Sequence, residues 1–408
     1  MSAPTLIERA LSTSDARPAG ALRVLSAGKA ANAMATAAGR IFGGAIRGGL
    51  VVSHVEGQVL PPFEAIQGSH PVPSAESERA GRRALALAGS VAPDESLLVL
   101  LSGGGSAIMA VPAPGITLED KRRTTDRLLK AGADIHALNT VRKHISALKG
   151  GWLAAATSRP SLTLAISDVV GDDLSVIASG PTVPDASTFD DALAVLKRFG
   201  GLDTYPPPVV ARLQAGARGD LAESPKPGDS RLARAVATVI GGRGDAMDGA
   251  ARDAESLGYT VLRLHDPVVG EARIAAISHL RAAIARAADL RRPACIISSG
   301  ETTVHVTGNG VGGRNQEFVL AAAAPLAALG MPVVLASAGT DGIDGPTTAA
   351  GACVDSSTLN RAAAAGLPPP ERFLSNNDAH AFFAALGDLI ITGPTDTNVG
   401  DLQVLLIG

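Results

Sequence analysis

Short runs of apolar residues, many of them β-branched, alternate along the chain with small-residue loops and amphipathic helical patterns. This alternation is typical of βαβ units, in which a helix connects two parallel strands and covers the sheet. We therefore expect an α/β fold with parallel strands in both halves of the chain. The predicted strands are Leu22–Ser26, Leu50–Ser53, Leu97–Leu101, Leu162–Ile166, Val236–Ile240, Thr260–Leu264, Ala294–Ser298, Val333–Ala336 and Val404–Ile407.

Two helical segments can be placed in more detail. Thr117, followed three residues later by Asp120, has the pattern of an N-cap with an acidic first turn. Between Asp134 and Ala156, apolar residues recur at intervals of three and four, which predicts one helix with an apolar stripe. The opposite face of that helix carries the polar residues Asn139, Arg142, Lys143 and Ser146.

The length and a change in composition predict two domains. A chain of 408 residues exceeds what one hydrophobic core usually organises. Between Gly200 and Arg231, proline, glycine and charged residues dominate, so we expect irregular structure there. We predict an N-terminal domain of residues 1–231 and a smaller α/β domain of residues 232–408, with a ligand cleft between them.

Charge and cysteine content exclude several function classes. A net charge of −3 provides no general attraction for nucleic acid or an anionic membrane, so an anionic substrate would need local cations. The two cysteines, Cys295 and Cys353, lack the spacing of a zinc site or a disulfide framework. We expect both to be reduced thiols in the core.

Two segments bear on localisation. The N-terminal apolar residues are interrupted by the charged residues Glu8, Arg9, Asp15 and Arg17, so we expect no signal peptide and a cytoplasmic protein. The uncharged stretch 318–340 has the length of a membrane span, but two prolines and a glycine divide it. We expect a buried helix followed by a buried strand there.

Two loops of the first half combine small residues with groups that bind phosphate. Lys29 lies in a turn between a predicted strand and helix, where an ammonium and backbone amides can meet an anion. The alternative is a solvated lysine beside a packing glycine. Directly after another strand come Ser102, Gly103, Gly104, Gly105 and Ser106, whose amides a ligand can approach without Cβ obstruction. We interpret this glycine-rich loop as a nucleotide-binding candidate.

Carboxylates also follow predicted strands. Asp168 comes directly after the strand Leu162–Ile166, at the end of the sheet where ligands bind in open α/β folds. A carboxylate there can hold Mg²⁺ or accept the proton of a substrate hydroxyl. In the second half, Asp341 follows another apolar strand and is a further candidate metal ligand.

A second glycine-rich loop precedes Arg314. Gly308, Gly310 and Gly313 satisfy the GxGxxG pattern of dinucleotide-binding proteins, but no acidic residue follows at the spacing that pattern requires. Arg314 is more informative, because a guanidinium beside glycine amides binds carboxylate or phosphate groups. We assign Arg314 to anion binding rather than to the charged surface.

Taken together, the motifs resemble the glycerate 2-kinase family, in the class with a C-terminal MOFRL-type domain. The resemblance extends from about Ser26 to the C-terminus. It is carried by the blocks SAGKAANAM, GSHPVPSAES, LLSGGGSA, LNTVRKHISALKGGWLA, SDVVGDDLSVIASGPTVPD, GGRNQEF, SAGTDGIDG and TGPTDTNVGDL.

The resemblance implies a Rossmann-like α/β/α N-terminal domain, a smaller C-terminal domain and an active site in the cleft between them. It also implies ATP and Mg²⁺, with 2-phosphoglycerate as the product. The family's essential lysine and arginine correspond to Lys29 and Arg314, and its glycine-rich loop to Gly103–Ser106. We further assign His70 and Asn315 to the substrate, and Asp168 to catalysis or the metal.

Two other functions remain open at this point. Hydroxypyruvate reduction with NAD(P)H would use the second glycine-rich loop, and a sugar-acid-binding protein without catalysis would use the cleft alone. The partners we expect are glycerate and ATP, with neither nucleic acid nor membrane. A homodimer is compatible with the sequence.

Overall fold

The computed structural model describes residues 2–12, 18, 20–57 and 61–408. Asp15 and Arg17, which entered the prediction about the N-terminus, lie outside these residues. Within them the chain divides into two compact units. The N-terminal unit comprises residues 2–167 and 171–240, and the C-terminal unit comprises residues 168–170 and 241–408.

A six-stranded sheet forms the centre of the N-terminal unit. Its strands are β1 (Ala21–Ala27), β2 (Ile46–Ser53), β3 (Phe63–Gln67), β4 (Glu95–Leu101), β5 (Ser161–Ile166) and β6 (Ala235–Gly241), in the order β3-β2-β1-β4-β5-β6. β1 to β5 pair in parallel. Every residue of β4 and β5 is buried, which explains why their sequences are mostly apolar. This strand order is that of the Rossmann fold, so the predicted fold class is confirmed.

Nine helices accompany this sheet in the described part of the N-terminal unit. They are α1 (Ala3–Ser12), α2 (Ala31–Phe42), α3 (Ala75–Gly89), α4 (Gly105–Ile108), α5 (Leu118–Lys130), α6 (Ile135–His144), α7 (Trp152–Ala155), α8 (Phe189–Arg198) and α9 (Pro207–Ala217). The predicted cap of α5 is confirmed, because Thr117 and Asp120 form a reciprocal capping box. The prediction of irregular structure over 200–231 was wrong for α9, whose first residue is a proline, a position that tolerates it.

The single long helix predicted over 134–156 is also corrected. α6 ends at His144, and Gly150 and Gly151 adopt φ values of +59° and +85° before α7 begins. These left-handed conformations cannot continue a helix. The face predicted to be polar is nevertheless buried over most of its length, since Asn139 is 3% exposed and Ser146 is 2% exposed.

The C-terminal unit contains a second six-stranded sheet. Its strands are β7 (Thr260–Glu271), β8 (Ala294–Thr303), β9 (Val333–Gly339), β10 (Gly351–Asp355), β11 (Leu389–Ile390) and β12 (Asp401–Ile407), in the order β11-β10-β9-β12-β8-β7. β7 and β8 pair in parallel, as expected for this half, whereas the other four strand pairs of the sheet are antiparallel. β7, β8 and β9 do run in one direction, but β12 inserts between β8 and β9 in the opposite direction.

Six helices belong to the same unit: α10 (Arg243–Ser256), α11 (Ala272–Arg286), α12 (Arg314–Ala327), α13 (Thr358–Ala364), α14 (Pro370–Ser375) and α15 (Ala379–Leu386). Its core includes the fully buried Phe318, Phe382 and Phe383, packed with aliphatic residues of the sheet. The uncharged stretch 318–340 becomes most of α12 and β9, as predicted. Among the described helices, none is both long enough and apolar enough to cross a membrane.

The division between the units differs from the predicted boundary at residue 231. β6 was predicted to open the second domain, but it lies beside β5 at the edge of the first sheet. The chain therefore leaves the N-terminal unit only after Ile240. Sequence composition marked the irregular segment before β6, whereas strand pairing determines which unit β6 joins.

Candidate functional site

The loops after β1 and β4 meet where the strand order reverses. β1 leads through α2 to β2 on one side, whereas β4 lies on its other side. The amide of Lys29 donates to the carbonyl of Gly103 at 2.9 Å, and the amide of Ala30 donates to Oγ of Ser102 at 3.0 Å. In open α/β sheets this reversal is where ligands bind, since the two diverging loops leave a crevice.

Gly28 allows these two loops to approach each other. Its φ is +129°, and a Cβ at this position would lie 2.2 Å from Oγ of Ser102 and 2.5 Å from its carbonyl oxygen. Any side chain would therefore force the loops apart. The glycine before Lys29 is thus required for packing, and it fixes the backbone of Lys29 against the glycine-rich loop.

The glycine-rich loop exposes backbone donors. Among the described residues, the amides of Gly103 and Gly104 donate to no protein acceptor. His70, from the segment after β3, lies beside this loop, because a Cβ on Gly104 would be 3.2 Å from its ring. The structure therefore brings together Lys29, His70 and the whole predicted loop from Ser102 to Ser106.

Arg314 occupies the first position of α12 in the C-terminal unit. Its Nε and Nη2 donate to the carboxylate of Asp401 at 2.7 and 3.0 Å, and its Nη1 donates to Glu301 at 3.1 Å. Burial by itself would lower the pKa of Arg314, but the Asp401 and Glu301 carboxylates raise it above its ordinary value. The guanidinium is therefore a fixed, permanent cation.

This ion pair does not exhaust the donors of Arg314. A guanidinium has five N–H groups, and three of them are directed to Asp401 and Glu301. The side chain remains 33% exposed. The remaining N–H groups can bind an anion while the two carboxylates hold the guanidinium plane in place.

The backbone amides of the two residues after Arg314 donate hydrogen bonds at the start of α12. Asp344 is 2% exposed and accepts the amides of Asn315 and Gln316. Burial raises the pKa of Asp344, and the two amides oppose that increase. The side chain of Asn315 is buried and bonded to Asp344, Asp401 and Ser337. Its observed contacts therefore orient Asp401 rather than present an amide to a ligand.

Asp168, through its carboxylate, and Asp341, through its backbone carbonyl, both accept hydrogen bonds from the loop that precedes Asp401. Asp168 accepts a hydrogen bond of 2.7 Å from Nδ2 of Asn398. The carbonyl of Gly400 accepts the amide of Thr340, and the carbonyl of Asp341 accepts the amide of Thr395. The loop that precedes Asp401 thus connects both predicted metal ligands to the partner of Arg314. Among the described residues, no group of three or more His, Cys, Asp or Glu side chains is arranged to hold a metal.

The second glycine-rich loop has a different function from the first. Five consecutive amides, from Thr307 to Val311, donate to acceptors in residues 376–378 at 2.8 to 3.1 Å. A Cβ on Gly308 would lie 2.3 Å from the carbonyl of Asn376. These glycines permit close packing of two chain segments, and their amides are not open to a dinucleotide pyrophosphate.

Sequence reasoning missed the residues that hold Arg314 in place. Asp401 lies in the block TGPTDTNVGDL, but the sequence predicted no function for Asp401 or for Glu301. The sequence does contain one signal for Asp401, because this acidic residue is the first residue of the mostly apolar strand β12. A buried carboxylate in such a position is expected to have a partner. The partner itself, more than eighty positions earlier, has no signal in the local sequence.

The Rossmann-type sheet, the lysine beside open glycine amides and the anchored arginine are together typical of an enzyme that acts on phosphorylated or carboxylated small molecules. Residues 2–214 match the family model described as a domain of unknown function (DUF4147), and residues 294–401 match that of the MOFRL family. The chain belongs to the glycerate 2-kinase family.

Similarity to individual proteins extends over nearly the whole chain. It is 41% identical to the D-glycerate 2-kinase of Thermotoga maritima, over 94% of this chain and 90% of that protein. It is 36% identical to the glycerate 2-kinase of Pyrococcus horikoshii, over 95% and 88% of the two chains. A relative from Agrobacterium vitis, 41% identical over 96% of this chain and 88% of its own, is provisionally named a hydroxypyruvate reductase.

The fold agrees with a solved structure of the family. The crystal structure of glycerate kinase from Thermotoga maritima superposes with a TM-score of 0.87 at 38% identity. The superposition covers 100% of this chain and 96% of that one. The two-unit α/β architecture is therefore that of the family.

Proposed function

We propose that this protein is an ATP-dependent kinase that phosphorylates D-glycerate to 2-phosphoglycerate. The proposal rests on one contrast between its two glycine-rich loops. The loop after β4 lies beside Lys29 and has open amides at Gly103 and Gly104, whereas the amides of residues 307–311 are bonded to protein. Open amides beside an ammonium suit the phosphates of a nucleotide.

The N-terminal unit would bind the triphosphate. During phosphoryl transfer, negative charge spreads over the oxygens of the moving group, and catalysis consists mainly of positioning and neutralising that charge. The Lys29 ammonium supplies a positive charge, and the amides of Gly103 and Gly104 supply oriented dipoles. The 2.9 Å hydrogen bond between the Lys29 amide and the Gly103 carbonyl keeps these groups together.

The C-terminal unit would bind glycerate. Arg314 is held by Asp401 and Glu301 but keeps N–H groups for the glycerate carboxylate or the transferring phosphoryl group. We assign Asn315 to the support of this arginine, because its amide contacts Asp401. His70, beside the glycine-rich loop, is assigned to the substrate.

The donor chemistry of Asp168 and Asp341 fits Mg²⁺, which prefers oxygen ligands and needs only one or two carboxylates when phosphates complete its shell. When bound, the ion would neutralise charge on the phosphate oxygens. Asp168 is fixed by Asn398, so it would either hold the ion or orient the glycerate hydroxyl that attacks the phosphoryl group. We propose that the enzyme is cytoplasmic, and a homodimer is compatible with its sequence.

A paired assay tests this function. Purified protein is incubated with D-glycerate and MgATP, and separately with hydroxypyruvate and NADH, while ADP formation and NADH absorbance are followed. We expect ADP to form only when glycerate is present, without oxidation of NADH. Oxidation of NADH without ADP formation would establish the reductase instead, and binding of glycerate without either reaction would indicate a binding protein.

Phosphorus NMR of the product tests the position of transfer. A phosphate on carbon 2 couples to the single proton of that carbon, whereas a phosphate on carbon 3 couples to a proton pair. We expect a doublet. A triplet would retain the kinase but refute the assignment of 2-phosphoglycerate.

A further inference from the structure

The buried polar face of α6 is not explained by the function proposed above. This face belongs to the motif LNTVRKHISALKGGWLA, and its members include Asn139 and Arg142, which are one helical turn apart on the same side. Asn139 is 3% exposed, and Arg142 is mostly buried. Polar groups are buried in this way when they have partners or bind a ligand.

A chain of hydrogen bonds connects Asn139 to the glycine-rich loop. Oγ of Ser106 lies 2.7 Å from Oγ of Ser179, and the Ser179 hydroxyl donates to Oδ1 of Asn139 at 2.9 Å. The ammonium of Lys149 donates to the carbonyl and hydroxyl of Ser106 at 2.8 and 2.9 Å. Lys149 therefore positions the end of the loop, and Asn139 lies on the far side of the same network.

Asn139 has a donor without an acceptor. Its Nδ2 is buried and makes no hydrogen bond among the described residues. A buried N–H group without a partner destabilises the folded protein, because it loses its hydrogen bonds to water. The side-chain oxygen of Asn139 accepts the hydroxyl of Ser179, which leaves Nδ2 as the atom of this amide that has no partner among the described residues.

The same region contains cations without carboxylates. Arg142 donates no hydrogen bond and forms no ion pair among the described residues. Lys149 and Lys121 donate only to carbonyl or hydroxyl oxygens. Burial, with repulsion from Arg142, lowers the pKa of Lys149 well below its ordinary value and that of Lys121 to about 7. Buried positive charge of this kind is stabilised by an anion.

We propose that Arg142 and Nδ2 of Asn139 bind an oxyanion of the substrates next to the glycine-rich loop. The shared chemistry is a carboxylate or phosphoryl oxygen pair, to which a guanidinium and an amide can donate in parallel. The two sources are the phosphate chain of the nucleotide and the carboxylate of glycerate. This inference deepens the proposed kinase function and rests on it for the identity of the ligand.

Binding to Arg142→Met tests the proposal. Methionine keeps most of the side-chain length but removes the charge and all N–H donors. Titration calorimetry with inorganic pyrophosphate, MgADP and D-glycerate is expected to show binding to at least one probe weakened tenfold to a hundredfold, the range of one charge-assisted hydrogen bond. If only pyrophosphate and MgADP bind more weakly, Arg142 binds the phosphate chain of the nucleotide. If only glycerate binds more weakly, Arg142 binds the glycerate carboxylate.

Arg123→Met is the matched control, because it removes the same charge from an exposed position on α5. It should bind all three probes as the unchanged protein does. Arg142→Lys, which keeps a charge but loses the planar fork, should weaken binding less than Arg142→Met. Asn139→Leu removes the unpartnered donor and should weaken the same probe that Arg142→Met weakens.

Thermal unfolding shows whether Arg142 binds a ligand or only stabilises the fold. Since Arg142 has no carboxylate partner among the described residues, Arg142→Met should leave the Tm of the free protein unchanged or raise it. The increase in Tm that the bound probe causes should be smaller in this variant. Unchanged binding of all three probes by Arg142→Met would overturn the proposal. If the protein bound pyrophosphate through Arg142 but failed to phosphorylate glycerate, the anion site would be confirmed and the proposed kinase function would be refuted.

Discussion

Asp401 binds Arg314 through both carboxylate oxygens, at 2.7 Å from Nε and 3.0 Å from Nη2. The carboxylate is buried, whereas a third of the guanidinium side chain is exposed. Asp401 pairs with Gly300 and Gly339 on the two neighbouring strands, so its backbone is fixed from both sides. The sheet thereby fixes the carboxylate that holds the plane of the Arg314 guanidinium.

Removal of Arg314 should abolish most of the activity. We expect Arg314→Ala to lower kcat about a thousandfold, the scale on which charge-stabilising arginines act in phosphoryl transfer. Asp401→Asn keeps the shape but loses the charge, so it should lower kcat less. Steady-state kinetics with glycerate and MgATP measure both effects.

Arg361→Ala is the control for that experiment, since Arg361 makes a similar two-pronged pair with Asp388 in the same unit. It should retain nearly full activity. Equal losses in Arg361→Ala and Arg314→Ala would show that the measured effect is one of stability rather than of ligand contact.

Lys29 should be required for the use of ATP. Lys29→Met removes the ammonium of the residue whose amide is bonded to the glycine-rich loop, and we expect kcat to fall about a thousandfold. Lys130→Met, at an exposed position of α5 with a side chain 71% exposed, should behave as the unchanged protein. Activity of Lys29→Met near that of the control would contradict the assignment.

Gly28 should tolerate no side chain. A Cβ there would lie 2.2 Å from Oγ of Ser102 in a left-handed conformation, so we expect Gly28→Ala to destabilise the fold by about 3 kcal/mol. Gly44→Ala meets no atom within 4 Å and should change stability by less than about 0.5 kcal/mol. Urea unfolding measures both, and equal midpoints would be inconsistent with contact between the β1 and β4 loops.

Stability should depend on pH through His279. Burial lowers the pKa of His279 from 6.5 to about 4, and its Nε2 lies 3.1 Å from Oγ of Ser298. Between these values the unfolded chain binds the proton and the folded protein does not, so stability increases with pH. The full contribution is present above pH 6.5 and is lost as pH falls towards 4, a difference of up to about 3 kcal/mol.

The variant His279→Gln isolates this contribution. Its free energy of unfolding should decrease less steeply between pH 6.5 and 4 than that of the unchanged protein. Chemical denaturation at a series of pH values provides the comparison. Parallel curves for the two proteins would refute the assignment to His279.

Local sequence predicted most elements correctly, because local signals define them. The apolar runs of β4 and β5, the capping box of α5 and the helix and strand expected within 318–340 all appear in the structure. The errors arose where distant contacts decide the outcome. β12 inserts against the direction of its neighbours, and the buried face of α6 is polar.

In the candidate site, too, the features defined by local sequence were predicted, and those that depend on distant contacts were not. Lys29 and the glycine-rich loop could be recognised because each combines a strand end, glycines and a charged or hydroxyl group within a few residues. The second glycine-rich loop has the same local appearance, yet its amides bond to residues 376–378. No local pattern distinguishes the two, since the difference lies in a segment more than sixty positions away.

By itself, the sequence determined which residue types follow which strands, and therefore the alternation of elements, the two loops and the identity of the charged groups. Tertiary structure alone decided which of those groups have partners: Asp401 for Arg314, Asn398 for Asp168, and, among the residues that the structure describes, no carboxylate for Arg142. The physical reason is that charge and hydrogen bonding act over a few ångströms in space. Such distances are set by the pairing of strands and the packing of helices, not by separation along the chain.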